Sequence, residues 1–496
     1  MDDIKDRKKP DPIESESQSS TDGDAVLSFL KQGDIVGDTL INEKALLRKI
    51  DWIIMPLTWM SYNLQYMDKT LINFAQQMGL LQDTGMSQDQ YSYMALAFYC
   101  TYLALELPSG YLMQRLPVAK YLGVNLVIWG LIVTLNCAAK NFAGIMTLRV
   151  LLGCFESAIA PGLMLITGMW YKKEEQPLRM GIWYMGCGTA PIIGSLVAYG
   201  LLFYTGTAFK AWQILFLVFG LITIATGILV ILILPDNPMT CRWLSKEEKL
   251  VAIERLRDNK NSIENKHFKW SQFKEVFTDP QTYFLSIYTI AGLIPNGATS
   301  SFQGILINSM GFDTKQTQLL TLPGGVVTIL VVWVTGWLGG KYNARILWSC
   351  ITLLVGILGA CMLAFLKKSP AGQLAGNYLI FFTTAPLSLS YALVSANYAG
   401  HTKKVTMNAV MLMSFCLGNI LGPLTFRGRD APEYVPAKIA LIVSMAVSLL
   451  FTAALYPYYV WENKRRDKMR EEGEVQEDAD WMDLTDRENR SFRYSY

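Results

Sequence analysis

The chain has 496 residues, 51% of them hydrophobic and 17% charged, with a formal net charge of +3. Soluble chains average about 25% charged residues, and so small a net charge offers nothing to a polyanion. Most soluble enzymes and nucleic-acid binders are thereby excluded. A polytopic helical membrane protein is expected instead, because several nearly uncharged stretches of roughly 20 residues can each cross about 30 Å of hydrocarbon.

Residues 1–45 are polar (KDRKKPDPIESESQSSTDGD) and read as a disordered tail. No charged n-region runs directly into an apolar h-region, so a cleaved signal peptide is not expected. Twelve apolar segments follow, near 50–75, 90–113, 120–139, 144–168, 179–203, 211–234, 281–308, 317–339, 345–366, 374–398, 405–426 and 437–460. Each must be a helix, because lipid offers no partner for unpaired backbone groups. Segments 1–6 form an amino-terminal half over 46–234, and segments 7–12 a carboxy-terminal half over 281–460. A polar central loop at 235–280 joins them, and a second polar tail covers 461–496. The reading is an all-α membrane protein with twelve transmembrane helices in two six-helix halves that rock about a central site.

Most of the 44 Lys and Arg fall in the tails, the central loop and the short loops on the same side, with clusters at Lys44, Arg48 and Lys49 and at Lys464, Arg465 and Arg466. Both termini are therefore expected in the cytoplasm. The eight cysteines form no C-x-x-C pair, and the only histidines are His267 and His401. No disulfide framework and no metal centre is expected.

Ionisable residues inside spanning segments are costly and are functional candidates by default. Four stand out: Asp68 and Lys69 in segment 1, and Arg149 and Glu156 in segment 4. Counting about 1.5 Å per residue from each segment's midpoint puts Asp68 and Arg149 at similar depth, so a pair is expected if the two helices touch. Arg149, Gly153 and Glu156 are spaced i, i+4, i+7 and share one helix face, with Glu156 near the midplane. A midplane carboxylate is a candidate to take up and release a proton, and a cation facing a cavity is a candidate anion site. The alternative is an ion-pair network that only joins helices, and Lys69 could snorkel to the surface instead. Tyr62, Asn63, Gln65 and Tyr66 give segment 1 a polar half expected to line a cavity. Glu106, just before Pro108-Ser109-Gly110 in segment 2, reads as structural or gating rather than substrate-binding. Gly292, Pro295, Asn296 and Gly297 are expected to interrupt segment 7, exposing backbone to a substrate, with a simple kink as the alternative. Segment 10 carries Pro386, Ser388, Ser390 and Tyr391 and is read in the same two ways.

No G-x-x-x-x-G-K-[ST], G-x-S-x-G or H-E-x-x-H motif occurs. Neither ATP, nor a cofactor, nor a catalytic centre is therefore expected, and an ion or substrate gradient must supply the energy.

At these residues the chain resembles the major facilitator superfamily. Within it, the chain resembles the anion:cation symporters and their fungal allantoate permease branch. The resemblance covers about 45–496. It rests on IDWIIMPLTWMSYNLQYMDKTLINFA in segment 1, RVLLGCFESAIAPG in segment 4, LPDNPMTCRWLSKEEK after segment 6, SANYAGHTKK after segment 10, DAPEY before segment 12 and LTDRENRSFRY at the end. It implies import of a small organic anion with protons, Asp68 and Glu156 being the protonatable groups. Arg149 would bind the substrate anion and pair with Asp68, and Tyr66 and Tyr102 match binding-site tyrosines. Two departures accompany it. Lys69 stands where the family has Arg, losing bidentate geometry, and Gln114 replaces the Asp before Arg115 of the inner-gate motif, between segments 2 and 3.

The expectation is thus a proton symporter of the plasma membrane, not an enzyme, carrying an allantoate- or ureidosuccinate-like carboxylate or a small peptide. Asp68 and Glu156 would couple protons. Arg149, Lys69, Tyr66, Tyr102 and Asn296 would bind substrate, and Glu106 and Arg115 would gate. Its partners would be the substrate, protons and the bilayer, with a monomer as the default. The rivals are an exporter of a fungal metabolite and a nutrient sensor that binds without transporting.

Overall fold

The computed structural model describes residues 42–172, 174–206, 208–256, 269–342, 344–431, 433–471, 484–489 and 491–496, so the expectation for a tail over 1–41 lies outside it. The described residues are helical throughout, with no strand among them. The amino-terminal half contains α1 (Glu43–Gln77), α2 (Gln88–Arg115), α3 (Val118–Leu135), α4 (Phe142–Glu156), α5 (Ile159–Trp170), α6 (Gln176–Tyr184), α7 (Gly186–Leu201) and α8 (Ala211–Ile233). Two short helices, α9 (Lys246–Glu254) and α10 (Trp270–Thr278), lie in the connection between the halves. The carboxy-terminal half contains α11 (Pro280–Asn308), α12 (Thr314–Tyr342), α13 (Arg345–Phe365), α14 (Pro370–Ile380), α15 (Ala385–Asn397), α16 (His401–Leu424) and α17 (Val435–Glu471).

Taking α4 with α5, α6 with α7 and α14 with α15 as single membrane segments gives the six-plus-six arrangement. Among the described residues, nine of these spans are long and apolar enough to cross a membrane. The other three, α1, α2 and α11, have the length but carry polar groups that face inward. Asn63, Gln65, Asp68, Thr70 and Asn73 of α1 are all buried, as are Thr299, Ser300, Ser301 and Gln303 of α11. Polar side chains that lipid would reject are thus collected on the bundle axis.

Segment 4 breaks between α4 and α5 at Ser157–Ala158, immediately after Glu156. Segment 10 breaks between α14 and α15 in a 3-10 turn at Phe381–Thr384, just before Pro386. The break expected in segment 7 is not there: α11 is a continuous helix from Pro280 to Asn308. Its flexible-looking residues are held by neighbours. A Cβ on Gly297 would lie 2.6 Å from the Asn419 carbonyl oxygen of α16, and one on Gly292 would lie 2.9 Å from Ser448 of α17. Packed neighbours let a membrane helix absorb a proline without breaking.

Hydrogen bonds join the halves at the end of the bundle opposite the termini, the far end. There the Gly304 amide donates to Asn73 (3.1 Å), the Tyr91 hydroxyl to the Ser301 carbonyl (2.7 Å), the Ser92 hydroxyl to the Phe426 carbonyl (3.2 Å) and the Gly428 amide to Asp89 (3.0 Å). Asn308 donates to Gln77 at the same level. Phe302 stacks on Phe426 at 4.6 Å, with Tyr91 edge-on. One apolar cluster runs through the amino-terminal half and continues into the far end of the carboxy-terminal half. A separate cluster around Tyr288, Leu393, Met411 and Tyr459 fills the tail end of the latter. Midway, α7 and α12 cross at Gly188 and Gly325, where each glycine lies against the other's carbonyl oxygen.

Candidate functional site

The four charges singled out in the sequence converge on the axis. Arg149 Nη1 lies 3.7 Å from Asp68 Oδ2, and Lys69 Nζ lies 3.5 Å from Glu156 Oε1. The expected contact between segments 1 and 4 is therefore made, and it is made twice. Arg149, Asp68 and Glu156 are buried, while the Lys69 side chain keeps 12% of its exposure. Both distances fall short of hydrogen bonding. Among the described residues, both oxygens of Asp68, both oxygens of Glu156, and Nε and Nη2 of Arg149 have no hydrogen-bond partner. Buried polar atoms are almost always paired, so such a group of exceptions calls for an explanation.

Helix geometry puts these residues together. Asp68 and Lys69 are adjacent on α1, so one reaches Arg149 while the other reaches Glu156, seven residues further along α4. Gly153 lies between them on α4 and leaves room on that face. The structure gives it a neighbour: a Cβ there would meet the Phe98 carbonyl of α2 at 2.6 Å. This close crossing brings Tyr102 of α2 beneath Lys69, whose Nζ is 5.4 Å from the Tyr102 ring and 5.8 Å from the Phe415 ring of α16. Arg149 in turn lies 5.9 Å above the Phe216 ring. Lys69 thus stands between the halves, in contact with both.

The remaining sequence candidates separate. Tyr66 is half-buried one turn from Lys69 on α1. The polar half of segment 1 does face inward, but Tyr62 and Asn63 are used within their own half. Asn63 donates to Thr189 (2.5 Å), and the Tyr62 ring lies 4.9 Å from that of Trp183. Gln65 reaches the Glu156 backbone carbonyl (3.4 Å). Asn296 sits half-buried in the unbroken middle of α11 and is not joined to the charge group. Glu106 is buried on α2 with neither carboxylate oxygen hydrogen-bonded. Arg115 is exposed at the end of α2, 5.1 Å from the Tyr111 ring and away from the four charges. The Gln114 side chain lies outside the described residues.

The cavity beside the two cations is lined by Lys69, Phe98, Tyr99, Arg149 and Ser301 and measures about 20 Å³. That is room for one or two waters and no more, so the far end is closed down onto the charge group.

A second charged group was not foreseen. Lys403, at the start of α16, is wholly buried with its ammonium 2.7 Å from Asp279, 2.7 Å from Asp486 and 2.9 Å from Glu275. These three carboxylates are spaced as a metal cage would be, and the ammonium fills it. Asp486 belongs to the last described residues, 484–489 and 491–496, which are bound along the tail end of the carboxy-terminal half. Tyr494 donates to Asp486 (2.7 Å), Arg466 donates to the carbonyls of Asn489 and Phe492, and Asn397 pairs with Ser495 through its amide and carbonyl. Burial and the Asp486 carboxylate push the Tyr494 hydroxyl well above its ordinary pKa, which keeps it a donor. The signal was present in SANYAGHTKK and LTDRENRSFRY, but two motifs about 80 residues apart do not show that they touch.

Residues 58–423 match the family model of the Major Facilitator Superfamily. The chain is 36% identical to the allantoate permease of Saccharomyces cerevisiae over 95% of this chain and 90% of that protein. It is 35% identical to the thiamine pathway transporter of the same yeast over 98% of this chain and 96% of that one. Among solved structures it superposes on a bacterial homolog of the human lysosomal transporter Spinster, with a TM-score of 0.61 and 16% identity, covering 81% of this chain and 94% of that one.

Proposed function

Since the chain belongs to the major facilitator superfamily of membrane transporters, we propose that it is a proton-coupled importer of a small organic anion in the plasma membrane, with both termini in the cytoplasm. The observation that carries this reading is the four-charge group of Asp68, Arg149, Lys69 and Glu156, held within ion-pair distance but without hydrogen bonds. Its formal charge is zero with both carboxylates ionised. Each proton that binds Asp68 or Glu156 leaves one cation uncompensated. A bound carboxylate offsets one such charge and gives the idle N–H groups of Arg149 the acceptors they lack. Proton and anion therefore bind together more favourably than either binds alone, because an unpaired charge in this dry site is expensive.

The rest follows from alternation of the two halves. With the far end open, Asp68 and Glu156 take up protons and the substrate carboxylate engages Arg149. Tyr66, Tyr102 and Lys69 complete the binding surface. Closure at Asn73–Gly304 and Tyr91–Ser301 then seals the far end. On the tail side the protons leave, the ion pairs re-form and the anion is released. Asp68 and Glu156 thus couple protons, while Glu106 and Arg115 lie toward the exit.

The test is uptake of labelled allantoate, ureidosuccinate, a dipeptide and thiamine into null yeast expressing the full chain, at two external pH values and with an uncoupler. Uptake of one of the anions that rises at acid pH and collapses with the uncoupler is the expected result. Uptake of thiamine alone overturns the anion assignment. No uptake of any of them by protein confirmed at the surface would move the assignment to export or sensing.

A further inference from the structure

The short helix before the carboxy-terminal half has a face that the transport cycle leaves without a task. In α10 (Trp270–Thr278), Trp270, Phe273 and Phe277 are spaced i, i+3, i+7 and share one side. Their rings form a ladder, with centroids 5.5 Å apart from Trp270 to Phe273 and 5.3 Å apart from Phe273 to Phe277. Trp270 is 68% exposed and Phe277 46%. The opposite face is packed against the half. There Gln272 accepts from the Thr402 backbone amide (3.1 Å), Glu275 pairs with Lys403 (2.9 Å) and Val276 is buried. A nine-residue helix is too short to persist in water by itself, so this packed face holds α10 in place and the ladder is presented outward.

The position of α10 says what covers the ladder. Asp279 is extended and caps both helices, the end of α10 and the start of α11, so α10 turns off the line of α11 where that helix enters the bundle at the tail end. Tyr283, in the first turn of α11, is 54% exposed, and its hydroxyl donates to the Phe277 carbonyl (2.7 Å). The ladder therefore continues onto the outer flank of a membrane-spanning helix. Phe284, next to Tyr283, lies 6.0 Å from the Tyr458 ring of α17, and Tyr456 and Trp461 are exposed on α17 within a turn of that level. Exposed Trp and Tyr gathered at one level mark a membrane–water interface. Ser271, Lys274 and Thr278 are exposed along one edge of the ladder, so an apolar face is bordered by a polar one. That is the pattern of a helix lying in the plane of the interface.

We propose that α10 is an interfacial helix whose Trp270–Phe273–Phe277 ladder is seated in the lipid of the tail-side leaflet, where headgroups meet acyl chains. Apolar faces of this kind sit about 5–10 Å into that boundary. One side of α10 thus binds lipid while the other holds the start of α16 through Gln272 and Glu275. The tail end of the carboxy-terminal half is thereby held at a fixed depth in the membrane. This holds whichever solute is carried and whatever gradient drives it.

The test places single spin labels on α10 of the full chain, with its native cysteines replaced, in nanodiscs of phosphatidylcholine and phosphatidylserine that hold one chain each. Collisions with oxygen, which concentrates in lipid, are compared with collisions with a water-soluble nickel chelate. Labels at Trp270→Cys and Phe277→Cys are expected to give an oxygen-to-nickel ratio several-fold above that of labels at Ser271→Cys and Thr278→Cys. Ready access of nickel to all four would place the helix in water and overturn the proposal. Labels at Trp270→Cys and Phe277→Cys shielded from both reagents would mean that protein covers the ladder, and would overturn it equally. Should the cysteine variants fail to fold, the wild type is photolabelled with a phospholipid that carries a carbene precursor at the top of its acyl chain, and adducts are mapped by mass spectrometry. Adducts on Trp270 or Phe277 support the lipid seat, and an α10 without adducts rejects it.

Discussion

Arg149 Nη1 stands 3.7 Å from Asp68 Oδ2, inside ion-pair range and beyond hydrogen-bond range, with both residues buried. A structural salt bridge at this depth would close to full contact, since poor geometry does not repay the desolvation of two ions. The gap and the unpartnered Nε and Nη2 of Arg149 suit the exchange of partners that the proposed cycle requires.

Arg149→Lys is the sharpest test of the anion site. A lysine keeps the charge and loses the planar fork that meets a carboxylate with two parallel bonds. Hydrogen bonds to charged groups contribute about 1.5–3 kcal/mol, so transport efficiency should fall between about 10-fold and 150-fold, mainly through a raised KM. Kinetics of radiolabelled uptake check this, and an unchanged KM would mean that Arg149 does not touch the substrate.

Glu156→Gln fixes a neutral group at the proposed proton site. The variant should still bind substrate and exchange it across the membrane, because both half-cycles can run loaded. It should lose accumulation against a gradient, and its uptake should no longer rise as external pH falls. Counterflow and net uptake measured on the same proteoliposomes separate the two. Active accumulation by this variant would falsify the assigned role.

The fold was legible in the sequence because lipid leaves no alternative to helices, so twelve apolar runs had to become twelve helical segments. The Asp68–Arg149 contact was legible for a related reason: two charges at one depth in dry surroundings need each other. The continuity of α11 was not, because whether Pro295 breaks a helix depends on what packs against it. Asn419 and Ser448, more than 100 residues away, hold it straight. The break after Glu156 was hidden too, since Ser157 and Ala158 carry no strong helix-stop signal. The Lys403 cage was hidden because its carboxylates come from two distant parts of the chain, 275–279 and 486, and its ammonium from a third.

Lys403→Met should destabilise the carboxy-terminal half without touching the charge group on the axis. It leaves Glu275, Asp279 and Asp486 with no cation in a site where two of the three are wholly buried. Removing one partner from a buried ion pair costs about 3–5 kcal/mol. Thermal unfolding of the purified protein should show a clear fall. Asp486→Asn should cost less, because it removes one of three like charges while loosening the hold of Asp486 on Tyr494. An Asp486→Asn protein less stable than Lys403→Met would mean that docking of Tyr494, rather than charge balance, holds the end together.

Tyr91→Phe probes the closed far end. The Tyr91 hydroxyl donates to the Ser301 carbonyl across the two halves (2.7 Å), a bond that exists only while the far end is shut. The ring stays to pack edge-on against Phe302, so the substitution removes the bond and little else. A net hydrogen bond contributes about 1 kcal/mol, which is about a fivefold change in the ratio of closed to open molecules. Spin labels at Gln82→Cys and Asp313→Cys, in a chain whose native cysteines are replaced, report the distance between the halves at this end. The longer-distance population should grow by about that factor, and proton-driven uptake should change with it, because the cycle must pass through both states. An unchanged distance distribution would show that the Phe302–Phe426 stack and the Asn73–Gly304 bond hold the far end shut by themselves.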